Sequence, residues 1–234
     1  MVRQIVASIS RRSRAHRARI FLYHMNPVEH DAILDLGGSD GSHIADVVPY
    51  RNTVTVADID AEALRRAEDR FGFKTLHLDE DGRIPVPDAS FDVVFCSSVI
   101  EHVTVAKNSL LNYTTNAAFR SAAFTVQSRL AAEIRRVGRS YYVQTPYRYF
   151  FIETHMWFPN FAAFSSRKFL IAAIQFINKW WVKKARPEWN LLTVRDMRTL
   201  FPEAEIIREK WLGMTKSVIA IHVAAERAGI SNHG

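Results

Sequence analysis

The stretch that most narrows what this chain can fold into is Ile33-Leu-Asp-Leu-Gly-Gly-Ser-Asp-Gly-Ser-His-Ile44. An apolar strand, Ala32 to Leu36, carries an acid at Asp35 and runs directly into a glycine turn, Gly37, Gly38 and Gly41. A segment of helical character follows. Strand, glycine turn, helix is the opening of a nucleotide-binding βαβ unit. Its glycines let backbone approach a ligand, and the free N–H groups at the helix start attract negative groups. Such turns are common, so the weight rests on what comes next.

Val54-Thr-Val-Ala-Asp-Ile-Asp60 is a second apolar strand ending in acid. Asp58 lies 17 residues after Gly41, close to the spacing at which an acid hydrogen-bonds a ribose diol. Leu76-His-Leu-Asp79 follows, then Phe91-Asp-Val-Val-Phe-Cys-Ser-Ser-Val-Ile-Glu-His-Val103. In order and spacing these segments resemble the class I S-adenosylmethionine-dependent methyltransferases, especially the broad group (methyltransferase type 11-like) with an FDVV…EHV fourth strand. The resemblance covers roughly residues 30 to 222. It implies an α/β fold with a doubly wound, Rossmann-like seven-stranded sheet, mostly parallel with one antiparallel edge strand. An N-terminal helix precedes this core, and a helical insertion follows strand five. The expected organisation is a single domain over 1–234: a basic helix at 1–25, the core at 30–222, and a basic aromatic-rich insertion or lid at 154–187.

S-adenosylmethionine, the implied cofactor, has a ribose, an adenine, an amino-acid tail and a charged sulfur. By resemblance, Gly37, Gly38 and Gly41 let the chain pass against the tail, and Asp35 orients its ammonium. Asp58 takes the ribose hydroxyls, Ile59 covers the adenine face, and Asp79 accepts from the adenine amino group. Ser97 and Ser98 line the floor beneath the sulfur. The plainer reading of each acid is a cap on the turn after its strand. Ser39 stands where the family pattern has its middle glycine. If that position needs positive φ, serine impairs binding; if not, its hydroxyl can contact the cofactor.

Glu101-His102 follows strand four, where the transferred methyl is expected. A neutral His102 could take a proton from an acceptor hydroxyl, with Glu101 orienting it. The alternative is that His102 merely holds Glu101 or a backbone carbonyl. No second acidic-His pair at ligand spacing follows, so no metal is expected. After strand five comes Gln144-Thr-Pro-Tyr-Arg-Tyr-Phe-Phe-Ile-Glu-Thr-His155, resembling an acceptor loop in methyltransferases of glycan or polyketide pathways. Strand C-terminal ends form the crevice of open α/β sheets, so Tyr147, Arg148, Tyr149, Glu153 and His155 are candidate acceptor contacts. Plain packing is the alternative.

Charge is placed unevenly. Six arginines (3, 11, 12, 14, 17 and 19) precede the first acid, Glu29, and account for six of the seven net positive charges. Thr154 to Pro187 is also acid-free and carries Arg167, Lys168, Lys179, Lys183, Lys184 and Arg186. Either segment could face phosphate on a lipid, nucleotide or nucleic acid. The Arg-rich start also matches an organelle transit peptide; a structural helix is the preferred reading. The Phe169 to Val182 helix can serve as a lid over an apolar acceptor, an in-plane membrane helix, or ordinary packing. The Phe161 to Val182 window is too interrupted to span a bilayer. Cys96 is the only cysteine, which excludes an internal disulfide and points to a reducing compartment. The expected setting is cytoplasmic, with peripheral contact at the inner membrane surface through 1–25 and 165–186.

Local signals predict helices over 42–50, 61–71 and 104–137, with 107–120 as an insertion and Val126 to Val137 ending at Gly138. Strand five is expected over 140–145. Thr193 should cap a short helix before Pro202. Ala204 to Glu209 and Thr215 to His222 should close the sheet as a hairpin. The expected function is methyl transfer to oxygen or nitrogen of a small-molecule, glycan or lipid-linked acceptor. A nucleic-acid methyltransferase, a dinucleotide oxidoreductase and a non-catalytic cofactor-binding or interaction protein are the rivals. The adenine-amino signature Asn/Asp-Pro-Pro-aromatic is missing after strand four, and no specific nucleic-acid partner is expected.

Overall fold

The computed structural model describes residues 2–51, 53–79, 82–150, 152–153, 158–159, 167, 169, 172, 176, 179 and 188–230. The chain opens with helix α1 (Val2–Met25), then β1 (Ile33–Leu36), α2 (Ser42–Ala45), β2 (Val54–Asp58), α3 (Ala61–Phe71), β3 (Lys74–His77) and β4 (Phe91–Ser97). A 3₁₀ turn, Lys107–Asn112, leads to α4 (Asn116–Val137), β5 (Gly138–Pro146) and a small ribbon, β6 (Ile152–Glu153) with β7 (Phe158–Pro159). Then come α5 (Val194–Leu200), β8 (Glu205–Trp211), β9 (Met214–His222) and α6 (Ala225–Ile230).

Among the described residues, seven strands form one sheet in the order β3-β2-β1-β4-β5-β9-β8. β1 through β5 pair parallel, while β9 runs against both β5 and β8. Strand order reverses between β1 and β4, and ligands of such sheets bind outside the carboxyl ends at that reversal. β4 is buried along nearly its whole length, which is why Val93-Val-Phe-Cys96 reads as one apolar run.

Each face of the sheet carries its own core. On one face Phe21 and Met25 of α1 join Ile33, Ile44, Val56, Phe95 and Tyr142. Phe21 sets its ring edge-on to Phe95 at 4.9 Å and Tyr142 at 5.5 Å. On the other, Leu130, Ile134 and Val137 of α4 and Met197 and Leu200 of α5 cover Leu34, Val94, Tyr141 and Val143. Alternation along each strand therefore decides which helix layer a side chain meets.

Local chemistry explains the element ends. Asp60 caps α3 by accepting from Glu62 and Ala63 N–H groups, and left-handed Gly72 closes it. Thr193 and Asp196 form a reciprocal capping box on α5. Two helix expectations need correction. The helix expected over 42–50 is four residues long, because Val47 and Val48, ahead of Pro49, turn into the core instead. The helix expected over 104–137 starts only at Asn116, where the Thr115 side chain accepts from Ala118 N–H. Before it, Leu110 packs with Phe119 and Ala123 as a satellite core.

Candidate functional site

At the carboxyl end of β1 the chain turns left-handed at Gly37 (φ 71°) and Gly41 (φ 70°). A Cβ on Gly37 would sit 2.5 Å from the Val99 methyls, and one on Gly38 would strike the Asp35 carboxylate. The loop is thus pressed against β1 and the segment after β4, and only glycine fits at those two places. Ser39 also lies at positive φ, 52°, so this position does demand the conformation that glycine adopts most easily. Its N–H donates to Asp58 Oδ2 at 2.9 Å, which holds the serine there.

Asp35 is 3% exposed, and its Oδ2 has no hydrogen-bond partner among the described residues. Burial first, and then the nearby Asp58 carboxylate, raise its carboxyl from 3.8 to about 7. An acid under a glycine loop with an unused buried oxygen is built to receive a donor, and a cation would favour its ionised form. Asp58 accepts from Ser39 N–H and Asp60 N–H, one bond per oxygen. A carboxylate has roughly four acceptor positions, which leaves capacity for a ribose diol. Beside it Ile59 is half exposed. Asp79, just past β3, is exposed.

At the end of β4, Ser97 Oγ and Ser98 Oγ both donate to Gln144 Oε1, at 2.9 and 3.1 Å. Ser98 is left-handed (φ 61°) and its N–H donates to the Gln144 carbonyl. Gln144 on β5 is fully buried, and its Nε2 has no partner among the described residues. One amide therefore clamps the two-serine bend. In the sequence Gln144 stands out only as the first residue of the candidate acceptor loop.

Glu101 and His102 occupy different surroundings. Glu101 is fully buried and accepts from Thr145 Oγ1 at 3.1 Å, and its carbonyl accepts from Asn190 N–H. His102 is exposed, with its N–H donated to the Val99 carbonyl. Of the pair, the imidazole is the group that faces solvent.

The acceptor loop is tied down through amides. Arg148 donates to Asn190 Oδ1 at 2.9 Å, and Asn190 Nδ2 donates to Gln127 Oε1 at 2.8 Å. Gln127 Nε2 in turn donates to the Ile100 and Asn190 carbonyls. Burial, followed by the field of Arg120, lowers the Arg148 pKa. Tyr147 and Tyr149 meet edge-on at 5.7 Å, with Tyr149 half exposed. Glu153 lies in β6; its side chain, and all of His155, fall outside the described residues.

Two basic groups have structural settings. Arg167, counted with the basic insertion, is 2% exposed, lies 3.5 Å over the Phe119 ring and donates to the Tyr113 and Leu110 carbonyls. It seats that segment on the satellite core and offers no surface for phosphate. Further along, Phe169, Ala172, Phe176 and Lys179 are helical and exposed at spacings of one helix face. His43, at the start of α2, packs edge-on to Phe95, and burial with Arg17 and Arg14 lowers its pKa to about 4, so it is neutral.

Residues 34–140 match the family model described as a methyltransferase domain, the same segment that holds the loop, both serines and the Glu101-His102 step. Over those residues the chain is similar to methyltransferase domains. Proteins named uncharacterized methyltransferase from Mycobacterium tuberculosis and Mycobacterium bovis are 35% identical over 92 residues. That alignment spans 37% of this chain and 45% of each relative. The chain also shares its fold with a SAM-dependent methyltransferase of Methanosarcina mazei (TM-score 0.52, 17% identity, 85% of this chain and 95% of that one). A magnesium protoporphyrin IX methyltransferase of Synechocystis PCC 6803, solved with bound SAH, is similar too (TM-score 0.52, 12% identity, 95% and 87%). At such identities the likeness is one of fold.

The residues at this site suit S-adenosylmethionine on three features: the unused Asp35 oxygen, the Cβ-intolerant cradle at Gly37 and Gly38, and an Asp58 with acceptor capacity to spare. Among the described residues no helix is long and apolar enough to cross a membrane, and no three His, Cys, Asp or Glu side chains converge as a metal site.

Proposed function

We propose that this chain moves a methyl group from S-adenosylmethionine to oxygen or nitrogen of a small-molecule, glycan or lipid-linked acceptor. The observation that carries the reading is Asp35: a buried acid with an unused oxygen, under a glycine loop, at the strand-order reversal. The cofactor supplies an electrophilic methyl on a positively charged sulfur. The chain's part is to hold, align and deprotonate. Asp35 accepts from the ammonium of the tail, Asp58 from the ribose hydroxyls, and Ile59 covers the adenine, with Asp79 accepting from its amino group. Ser97 and Ser98, clamped by Gln144, form the floor beneath the sulfur.

Alignment of acceptor and methyl in a water-excluding crevice supplies most of the rate, and exposed His102 takes the acceptor proton. Tyr147, Arg148 and Tyr149, with Glu153 and His155 beyond them, are the acceptor contacts in this reading. Calorimetry with S-adenosylmethionine and S-adenosylhomocysteine tests it, with micromolar binding expected; absence of binding by the folded protein refutes it. Comparing metabolites with and without the gene, under a labelled methyl donor, then identifies the acceptor.

A further inference from the structure

The hairpin joining β8 to β9 breaks two local rules at one place. Its turn is Leu212-Gly213, with φ of 47° and 81°. Two consecutive left-handed residues make the turn type that favours Asn, Asp or Gly at both positions. A leucine in the first position bears the clash of its Cβ with the following carbonyl. Leucine in a strained turn is expected where its side chain finds a packed seat, yet Leu212 is 76% exposed. Met214 and Trp211, which flank it, are 44% and 38% exposed. Strain at Leu212 and the exposure of its side chain together mark a feature kept for something outside the chain.

The hairpin is firmly mounted. The Trp211 ring meets the buried Phe150 ring edge-on at 6.2 Å. Pro146, the last residue of β5, pairs with Ser217, so Met214 lies three residues farther out, about 10 Å beyond the carboxyl edge of the sheet. That edge is where the glycine loop and the Ser97-Ser98 bend open. The tip therefore projects from the rim of the crevice.

Cations stand next to it. The register shift between Glu209 and Lys210 places Lys216 at a bulge, and its Nζ donates to Ser13 Oγ of α1. Tyr142 OH, deeper in the sheet, donates to the Arg17 carbonyl of the same helix. From Arg17 to Ser13 the helix thus climbs toward the carboxyl edge, and it continues N-terminally to Val2. Arg12 and Arg14, either side of Ser13, are exposed, as is Lys210. No acid occurs in the chain before Glu29.

We propose that the β8–β9 hairpin tip inserts Leu212, Met214 and the edge of Trp211 into an anionic lipid surface, while the basic end of α1 lies on the headgroups. The two halves match the two layers of a lipid interface, apolar beneath and negatively charged above. A partner protein would call for shape complementarity, whereas this surface offers three apolar side chains on a narrow finger beside a run of positive charge. Neither half suffices for stable attachment, since a short apolar anchor binds marginally without a basic patch. In this arrangement the crevice mouth faces the bilayer. The proposal is independent of the methyl-transfer reading.

The test is co-sedimentation of the full chain with vesicles of phosphatidylcholine alone, or with about one-third phosphatidylglycerol. Partition onto the anionic vesicles is expected to be at least about tenfold stronger and to weaken with salt. Leu212→Asn supplies the residue the turn prefers, so its melting temperature should equal or exceed that of the parent. Its partition should fall about tenfold with the apolar contact removed. Arg12→Glu with Arg14→Glu should abolish the preference for anionic vesicles. Equal partition on both vesicle types, or Leu212→Asn within about twofold of the parent, overturns the proposal. So does a lowered melting temperature for Leu212→Asn, which would make the leucine a packing residue. Self-association abolished by Leu212→Asn, with vesicle binding unchanged, would make the tip a contact between chains and likewise refute it.

Discussion

Replacing Asp35 by asparagine separates the cost of burying this acid from its use. The folded protein holds the Asp35 carboxyl at about 7, against 3.8 ordinarily, through burial and then the Asp58 charge. A difference of this size amounts to about 4 kcal/mol at 1.36 kcal/mol per unit. The sign follows from proton counting. Between about pH 4 and 7 the unfolded chain has released this proton and the folded chain retains it. Stability from this group is therefore full below the unfolded value, is lost as pH rises, and levels off above about 7. A side-chain amide cannot ionise, so the Asp35→Asn variant lacks that slope. Its amide N–H would be buried at a carboxyl oxygen's place, which subtracts about 1–3 kcal/mol at every pH. The variant should thus be less stable than the parent near pH 4 and more stable near pH 8. The difference between the two proteins should swing by about 4 kcal/mol across that range. Urea unfolding of ligand-free protein at a series of pH values measures it. A swing below about 1 kcal/mol would refute the buried-acid reasoning. The same group predicts proton release when the cofactor's ammonium arrives and draws the carboxyl down. Calorimetry near pH 6.5 in buffers of different ionisation heat should show up to about three-quarters of a proton released by the parent and none by Asp35→Asn.

Asp58→Ala should weaken cofactor binding by about 1.5–3 kcal/mol, from hydrogen bonds to a charged acceptor, measured by calorimetry; unchanged affinity would remove Asp58 from the ribose site. Gln144→Leu leaves Ser97 and Ser98 without their common acceptor. It should cost about 1–3 kcal/mol of stability in urea unfolding and lower turnover more than cofactor affinity; equal losses in both would argue against a clamp beneath the sulfur. His102→Ala should hold cofactor affinity within about twofold yet lower methyl transfer about 10²–10⁴-fold, with the acidic limb of the pH profile lost. Full turnover on the true acceptor would rule His102 out as the base.

Much of the glycine loop and of the strand ends was legible in the sequence because their chemistry is local. Glycines at 37, 38 and 41 and acids at strand ends 35 and 58 are turn and strand-end signals, readable within a dozen residues. Cap chemistry at Thr193 and the stop at Gly72 are local in the same sense, and both stand where expected. Helix lengths were less legible wherever tertiary burial outbid propensity. Val47 and Val48 leave α2 for the core, and the segment before Asn116 is bent by the satellite core around Leu110 and Phe119.

The amino-acid order by itself determined the strand-turn-helix units, the buried character of β4, the position of the glycine loop and the two acid-free basic segments. Each depends on residues within a few positions of one another. Only the tertiary structure decided that Gln144 clamps Ser97 and Ser98 from 47 and 46 residues away, and that Gln127 reaches Asn190 across 63. Only it turned Arg167 from a surface cation into a buried seat on Phe119, and brought Ser13 of α1 to Lys216 of the hairpin. It also separated buried Glu101 from exposed His102, neighbours in sequence. The physical reason is that amides and guanidinium groups carry no periodic signature. Their role is set by which distant donor or acceptor desolvation forces them to find, and that partner exists only once the sheet has brought the strands together.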